Sequence, residues 1–305
     1  MTNYLLETHQ LTKRYREQVA VNAVDLHIER GSIYGLIGRN GAGKTTLMRT
    51  ISGLASPTSG TISIFGESGP KVSRYFSRIG VLIESPGLYG DMSAADNLKL
   101  KQLCIGLKGK TYVGSLLELV GLGSVRKKKV KSFSLGMKQR LGIAMALIGE
   151  PDLLILDEPL NGLDPEGMVE VRHILVKLAK EKNITIMISS HILEELEKMA
   201  TTYGFIHQGV LVKEVTHEKL MSECSDYIEI QLDEPSLGCT VLEEMGIRDY
   251  QVIDQKNIQV YEQLSRSSEI NLALGQANVA IRSISLSQIS LEDYFLSLTG
   301  GQSHG

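Results

Sequence analysis

The 305-residue sequence predicts an α/β fold with a mostly parallel core sheet, followed by a small α+β appendage. Short apolar runs, typical of strands buried on both faces, occur at 32–37, 153–156 and 184–188. A glycine-rich loop follows the first run, and helical periodicity follows the other two. Because strands that alternate with helices pair in parallel, these observations favour a parallel sheet covered by helices.

The first 37 residues are rich in strand patterns. Val24, Leu26 and Ile28 alternate with polar residues, which is the period of a half-buried strand. Residues 44–54 then predict a helix directly after the glycine-rich loop. Residues 88–150 are predominantly helical in pattern, so we expect a long helical insertion between two core strands.

The pattern changes at about residue 216, and we predict one domain over 1–215 and a second over 216–305. Helical patterns lie between and after the predicted strands of the second domain, and the last helix covers 291–298. We expect the closing residues, 300–305, to be disordered. The strands are predicted at 227–232, 250–253, 258–261 and 280–284.

Composition excludes several classes of protein. The chain has 32 Lys and Arg against 35 Asp and Glu, and a net charge of −3 excludes a globally basic nucleic-acid binder. Its three widely spaced cysteines, Cys104, Cys224 and Cys239, form neither a disulfide framework nor a zinc cluster, which indicates a reducing compartment. No apolar run reaches the roughly 18–20 residues of a membrane helix, and the opening residues lack the basic segment and the apolar run typical of a signal peptide. We therefore expect a cytoplasmic chain, so that another polypeptide would supply any membrane-spanning part.

One marked basic run, 126–129 with Lys131, leaves three interpretations open. It could be an ordinary solvated face of the helical region. It could attract anionic lipid headgroups at the cytoplasmic surface of a membrane. Contact with RNA is the third interpretation.

The glycine-rich loop at 38–46 fits the phosphate-binding pattern GxxxxGK[ST]. Small residues allow successive backbone N–H groups to point at phosphate oxygens, and the helix that follows adds the partial positive charge of its N-terminus. The Lys44 ammonium would reach the β- and γ-phosphates, and the Thr45 hydroxyl would ligate Mg²⁺. The predicted nucleotide-binding residues of the loop are Gly38, Arg39, Asn40, Gly41, Ala42, Gly43, Lys44, Thr45 and Thr46.

Two adjacent carboxylates, Asp157 and Glu158, follow the apolar run 153–156. They lie at the carboxyl end of a predicted strand, where ligands bind in open α/β sheets. Asp157 would hold Mg²⁺, and Glu158 would polarise the attacking water as a catalytic base. Together with the phosphate loop, the pair predicts a magnesium-dependent P-loop nucleotide phosphatase.

Residues 131–141 resemble the signature of the ATP-binding cassette family, which reads Leu-Ser-Gly-Gly-Gln. Ser134 and Gly136 match that signature, and the three positions around them depart from it. The resemblance covers about residues 1–215 and implies an N-terminal antiparallel β subdomain and an inserted helical subdomain. It also implies that Ser134 and Gly136 cap the γ-phosphate of ATP held by the opposite subunit of a head-to-tail dimer.

The same resemblance assigns three further positions. Tyr15 matches the aromatic residue that stacks on adenine, and Asp164 lies in the loop that joins the two nucleotide sites. His191 matches the histidine that contacts the γ-phosphate and orders the attacking water. Lys44, Glu158 and His191 are therefore the expected catalytic residues.

Glu84 stands where the family usually has glutamine. The resemblance implies that it approaches Mg²⁺ together with Thr45 and Asp157, in a loop that contacts the membrane subunit. An ionised carboxylate only accepts hydrogen bonds, whereas an amide also donates them. Glutamate here is similar to the subset of cassette ATPases that serve bacitracin-resistance and lantibiotic-immunity exporters. Related ATPases of small multidrug exporters, or of exporters with an unknown substrate, are the alternative within the family.

The resemblance implies an ATP-hydrolysing subunit that drives a separate multi-spanning permease, with ATP and Mg²⁺ as ligands, a second copy as partner and no nucleic acid. It would lie on the inner face of the cell membrane and export a peptide antibiotic. The alternative is a cassette ATPase without a permease that acts on ribosomes or DNA. A small-molecule P-loop kinase would leave Ser134, Gly136 and His191 unexplained.

Overall fold

A computed structural model describes residues 4–107, 111–223, 226–288 and 290–299. The chain forms two compact units, Met1–His217 and Glu218–Gly305. Cys224 and the tail expected to be disordered, 300–305, lie outside the described residues. No helix in the described part of the chain is both long and apolar enough to cross a membrane.

The first unit alternates strands and helices after two long initial strands. Its elements in chain order are β1 (Tyr4–Tyr15), β2 (Gln18–Glu29), β3 (Ile33–Ile37), α1 (Lys44–Ile51), β4 (Ser59–Ile64), β5 (Glu67–Ser68), β6 (Ile79–Leu82), α2 (Ala94–Cys104), α3 (Thr111–Leu119), α4 (Leu135–Ala146), β7 (Leu153–Asp157), α5 (Pro165–Lys182), β8 (Thr185–Ser190), α6 (Leu193–Glu197), β9 (Thr202–His207) and β10 (Val210–Thr216).

The core sheet has six strands in the order β10-β9-β3-β8-β7-β6. All its neighbouring strands are parallel except β9 and β10, which form an antiparallel hairpin at one edge. Every residue of β3, β7 and β8 is buried, as the continuous apolar runs predicted. The mostly parallel sheet is therefore confirmed.

The helix after the glycine-rich loop is shorter than predicted. It ends at Ile51 rather than at residue 54, with Ser52 as its C-cap. Gly53 follows with φ +76°, a left-handed conformation that stops a helix and that glycine adopts without steric cost.

A second sheet, in the order β2-β1-β4-β5, is entirely antiparallel. The alternation predicted in β2 is observed, because Val24, Leu26 and Ile28 are fully buried. Leu47 and Met48 of α1 belong to the same hydrophobic cluster as these strands. This packing fixes the helix that follows the phosphate loop against the antiparallel subdomain.

The predicted helical insertion at 88–150 contains α2, α3 and α4. Serine hydroxyls cap two of these helices, since Ser93 accepts a hydrogen bond from Asp96 N and Ser134 accepts one from Met137 N. An uncapped first turn leaves backbone donors without partners, so both serines fix where a helix begins.

The second unit is a four-stranded antiparallel sheet with helices. The elements after β10 are α7 (His217–Glu223), β11 (Asp226–Leu232), α8 (Pro235–Glu244), β12 (Tyr250–Val252), β13 (Asn257–Val260), α9 (Ser267–Gln276), β14 (Ile281–Gln288) and α10 (Leu291–Leu298). The sheet order is β12-β13-β11-β14, and the core contains residues from the sheet, α8 and α9. β14 is longer than the predicted strand at 280–284, because the alternation of serines with apolar residues continues through Leu286.

Candidate functional site

The phosphate loop connects the end of β3 to the start of α1. A Cβ atom at Gly38 would lie 2.5 Å from the Ile206 carbonyl oxygen, so no larger residue fits without movement. Gly43 has φ +107°, and a Cβ there would lie 2.4 Å from the Ala20 carbonyl oxygen. Gly43 is also the N-cap of α1 and supplies no side-chain cap, which leaves first-turn N–H groups available to an anion.

Lys44 is a buried cation in this loop, with a relative exposure of 6%. Its ammonium donates a hydrogen bond to the Gly38 carbonyl at 2.6 Å and lies 3.5 Å from Glu158 Oε1. These contacts hold the ammonium between the loop backbone and the acidic pair. In that position its charge can neutralise phosphate oxygens bound by the loop.

Asp157 ends β7 and is held by two hydroxyl groups. Thr45 Oγ1 donates to Asp157 Oδ2 at 2.7 Å, and Ser189 Oγ donates to Asp157 Oδ1 at 2.5 Å. Strand pairing brings Ser189 there, since β7 and β8 run parallel with Asp157 opposite Ser189. Both carboxylate oxygens are thus oriented by groups from neighbouring elements.

Glu158 has φ +49°, a left-handed conformation that is rare for a residue with a side chain. The Glu158 N–H donates to Ser189 Oγ at 2.9 Å, which supports this conformation. Its Oε2 lies 2.6 Å from His191 Nδ1 and accepts a weaker bond from the His191 N–H at 3.3 Å. The carboxylate therefore lies between the Lys44 ammonium and the His191 ring, where it can accept a proton from water.

Thr45 and Asp157 offer hard oxygen ligands, which suit Mg²⁺. Within the described ranges, no group of three or more His, Cys, Asp or Glu residues could form a metal cage. Few protein ligands beside bound phosphates are typical of Mg²⁺ in nucleotide sites. The residues present therefore fit a magnesium ion that shares its coordination with a nucleotide.

Glu84, the third residue predicted to hold Mg²⁺, makes a different contact. Its carboxylate accepts a hydrogen bond from Arg49 Nη2 at 2.6 Å, and its side chain is 65% exposed. Thr45 and Asp157 contact each other, whereas Glu84 pairs with the last turn of α1. The Arg49 guanidinium attracts this carboxylate because it is the opposite charge within reach.

The signature residues lie where α4 and α5 begin. Ser134 is the exposed N-cap of α4, and Asp164 is the N-cap of α5. A Cβ on Gly136 would lie 4.0 Å from Gly167 Cα, so the two helix starts are neighbours. Within the described residues, no hydrogen bond or ion pair joins these groups to Lys44 or Glu158.

Tyr15, at the end of β1, is 46% exposed, and the Lys13 ammonium lies 4.8 Å from its ring centroid. An exposed ring with a cation on one face offers a flat surface for a nucleobase.

Sequence reasoning missed the roles of Ser189 and Arg49. Ser189 links the Asp157 carboxylate with the Glu158 backbone N–H, and Arg49 pairs with Glu84. A serine at the end of a strand expected to lie beside the acidic pair was the signal available for Ser189. Nothing local marked Arg49, whose partner is 35 positions away.

A mainly parallel sheet with a phosphate loop, a buried lysine and an oriented acidic pair defines a P-loop nucleotide-hydrolysing protein. Residues 21–161 match the sequence profile of the ABC transporter family. The chain is 44% identical over 303 residues to the bacitracin transport ATP-binding protein BcrA of Bacillus licheniformis, and the match covers 99% of each chain.

Two further comparisons cover about 70% of the chain. The lantibiotic transport ATP-binding protein SrtF of Streptococcus pyogenes is 47% identical over 214 residues, which are 70% of this chain and 92% of the relative. A solved structure described as the ATP-binding subunit of an ABC transporter is 32% identical, with a TM-score of 0.63 over 72% of this chain and 92% of that one. The chain belongs to the ABC transporter ATP-binding protein family, and it is an ATPase subunit.

Proposed function

We propose that this ATPase energises a separate membrane permease that exports a peptide antibiotic such as bacitracin or a lantibiotic. The observation that carries the proposal is the 44% identity to a bacitracin transport protein, which covers 99% of both chains. A relative that shared only the nucleotide-binding unit would support ATP hydrolysis alone. Likeness that includes the second unit supports a shared transport role.

The site residues divide the work of hydrolysis. The loop N–H groups and the Lys44 ammonium bind phosphate oxygens, and the Thr45 hydroxyl and Asp157 carboxylate hold a magnesium ion. When bound, Mg²⁺ neutralises the charge that develops on the β- and γ-phosphates. Glu158 accepts the proton of the attacking water or orients it, and His191 positions that carboxylate through the 2.6 Å contact.

Two copies complete each site in this proposal. Ser134 and Gly136 of one copy face the γ-phosphate bound by the other, in a head-to-tail arrangement. The Ser134 hydroxyl accepts only from Met137 N at 3.2 Å within the described residues, so its own proton remains available to a phosphate oxygen. Tyr15 stacks on the adenine, and Asp164 lies in the loop between the two sites.

A groove of about 920 Å³ offers a place for the permease. It is lined by β6, α2, α4 and the loop after β6. Ile83 and Ser85, which flank Glu84 in the sequence, are part of its wall. Exposed apolar side chains lie on it, with Leu54 64% and Tyr89 59% exposed. Glu84 forms an ion pair with Arg49 of α1, the helix that follows the phosphate loop. A permease segment bound in the groove can therefore act on this helix by moving Glu84.

The deciding experiment co-expresses the chain with its permease and measures growth against bacitracin and lantibiotics. Lys44→Ala is the matched control, because it removes the phosphate-binding cation. Resistance that disappears with Lys44→Ala supports ATP-driven export of this class. No resistance, with ATPase activity intact in the purified protein, would remove the antibiotic from the proposal and keep the transporter role.

A further inference from the structure

The strand β14 forms one edge of the sheet in the second unit. Its inner side pairs with β11, from Asp226 opposite Gln288 to Leu232 opposite Ile281. No other strand in the described part of the chain pairs with its outer side. This leaves a row of backbone donors and acceptors along an eight-residue strand.

The usual devices that protect an edge strand are missing from the middle of β14. Lysines, prolines and bulges normally prevent pairing with another chain. Arg282 is its one charged residue, and its guanidinium donates to Asp233 Oδ1 at 2.6 Å. The one register shift against β11 lies at the Ile281 end. The segment 283–287 is therefore regular, uncharged and open.

An apolar side chain is left exposed at this edge. Ile284 and Leu286 lie opposite Ile230 and Ile228, both fully buried in the core of the unit. Leu286 is nevertheless 61% exposed. On the other face of the strand, serines alternate with these residues. The edge thus presents apolar side chains on the core face and small side chains on the opposite face.

We propose that β14 pairs in antiparallel orientation with β14 of a second copy, centred on Ser285. The sequence is complementary to itself about this point. Ser285 faces Ser285 of the partner copy, Ile284 faces Leu286, and Ser283 faces Ser287. Each exposed Leu286 then packs on an apolar neighbour, and Arg282 does not face its own copy, so no like charges meet.

This pairing closes at two copies. A two-fold axis through Ser285 uses the same edge of both sheets, which become one continuous sheet of eight strands. The opposite edge, β12, has three residues and offers little for further addition. The contact needs no nucleotide, which separates it from the ATP-dependent dimer of the proposed function.

Disulfide cross-linking of the full chain tests the register. Cys104, Cys224 and Cys239 are replaced by serine, and single cysteines are introduced. Directly opposed residues have Cα atoms about 4.5–5.5 Å apart, within the range of a disulfide. Ser285→Cys is expected to give a cross-linked dimer under mild oxidation without ATP. Ser283→Cys is the matched control on the same strand face, because it lies about 14 Å from its own copy.

Mixing Ser283→Cys with Ser287→Cys is expected to give the heterodimer that Ser283→Cys alone does not. Leu286→Lys in the Ser285→Cys chain is expected to lower the cross-linked fraction several-fold. The Lys44→Ala background is expected to leave cross-linking unchanged, and loss of cross-linking there would overturn a nucleotide-independent contact. Equal cross-linking of Ser283→Cys and Ser285→Cys, or none from either, would overturn the proposed pairing.

Discussion

Ser189 connects the Asp157 carboxylate with the backbone of Glu158, the two residues on which the chemistry depends. Its hydroxyl donates to Asp157 Oδ1 and accepts from the Glu158 N–H. The side chain is fully buried, so water does not replace either bond when the hydroxyl is removed. One side chain thus positions a magnesium ligand and holds the left-handed backbone of the catalytic glutamate.

Ser189→Ala is expected to lower kcat and to lower the affinity for magnesium, so that ATP hydrolysis needs a higher magnesium concentration. A hydrogen bond to a charged group contributes about 1.5–3 kcal/mol, so we expect kcat to fall about ten- to hundredfold. Ser190→Ala is the matched control, since among the residues that the structure describes the Ser190 hydroxyl bonds only to Ile192, in its own turn. Steady-state ATPase rates over a magnesium titration measure the effect. Equal losses for both variants would contradict a specific role of Ser189.

The Arg49–Glu84 pair gives a second prediction at the level of single residues. With Arg49→Gln, the Glu84 carboxylate loses its partner, and its negative charge is expected to weaken nucleotide binding. Glu84→Gln removes that charge and is expected to leave nucleotide affinity near wild type. The double variant should then bind better than Arg49→Gln alone. Titration with a fluorescent nucleotide checks this order, and a double variant as weak as Arg49→Gln would contradict it.

Glu214 of β10 joins the two sheets of the first unit. It accepts a hydrogen bond from the Tyr34 hydroxyl of β3 at 2.7 Å and lies 2.8 Å from His27 Nδ1 of β2. Burial raises the pKa of Tyr34 well above its usual 10.0, and the Glu214 carboxylate raises it further. The neutral phenol is therefore part of how the two sheets are held together.

Stability is expected to fall in alkali for this reason. The folded chain holds the phenol proton more tightly than the unfolded chain. The resulting stabilisation is complete below about pH 10 and is lost as the pH rises through the higher folded-state pKa. Tyr34→Phe should destabilise at neutral pH by about 1–3 kcal/mol and make the alkaline slope of stability less steep. Urea unfolding across this pH range measures both effects, with exposed Tyr89→Phe as the control that keeps the slope.

Patterns within one element predicted most of the fold. Buried runs gave β3, β7 and β8, and alternation gave β2, because a strand's burial pattern follows directly from its period of two. The end of α1 and the length of β14 were predicted less well. A left-handed glycine stopped the helix early, and pairing with β11 continued β14 beyond residue 284, through Leu286 to Gln288.

For the whole molecule, the proposed head-to-tail dimer predicts complementation between two inactive variants. Lys44→Ala disables the phosphate loop, and Ser134→Asp places a negative charge at the opposite copy's γ-phosphate while keeping a good helix cap. In a mixed dimer, one site combines both changes and the other has neither. Mixing equal amounts is expected to recover up to about a quarter of the wild-type ATPase rate.

Each variant alone gives the baseline for that experiment, and a mixture with Glu158→Gln in place of Ser134→Asp is its control. Lys44 and Glu158 of one copy act in the same site. In a mixed dimer of these two variants, one site therefore lacks the loop lysine and the other lacks the catalytic carboxylate. Such a mixture is expected to stay inactive. Recovery there, or none with Ser134→Asp, would contradict sites shared between copies.

The sequence by itself determined the phosphate loop, the acidic pair and the class of protein. These depend on local backbone geometry, where glycine or a strand end dictates what a residue can do. Only the tertiary structure decided that Ser189 links Asp157 with Glu158, that Arg49 holds Glu84, and that the edge of β14 is open. The two side-chain contacts join residues that are far apart in the sequence: Ser189 and Asp157 are separated by 32 positions, and Arg49 and Glu84 by 35. Strand order and register, which local patterns do not encode, bring such residues together.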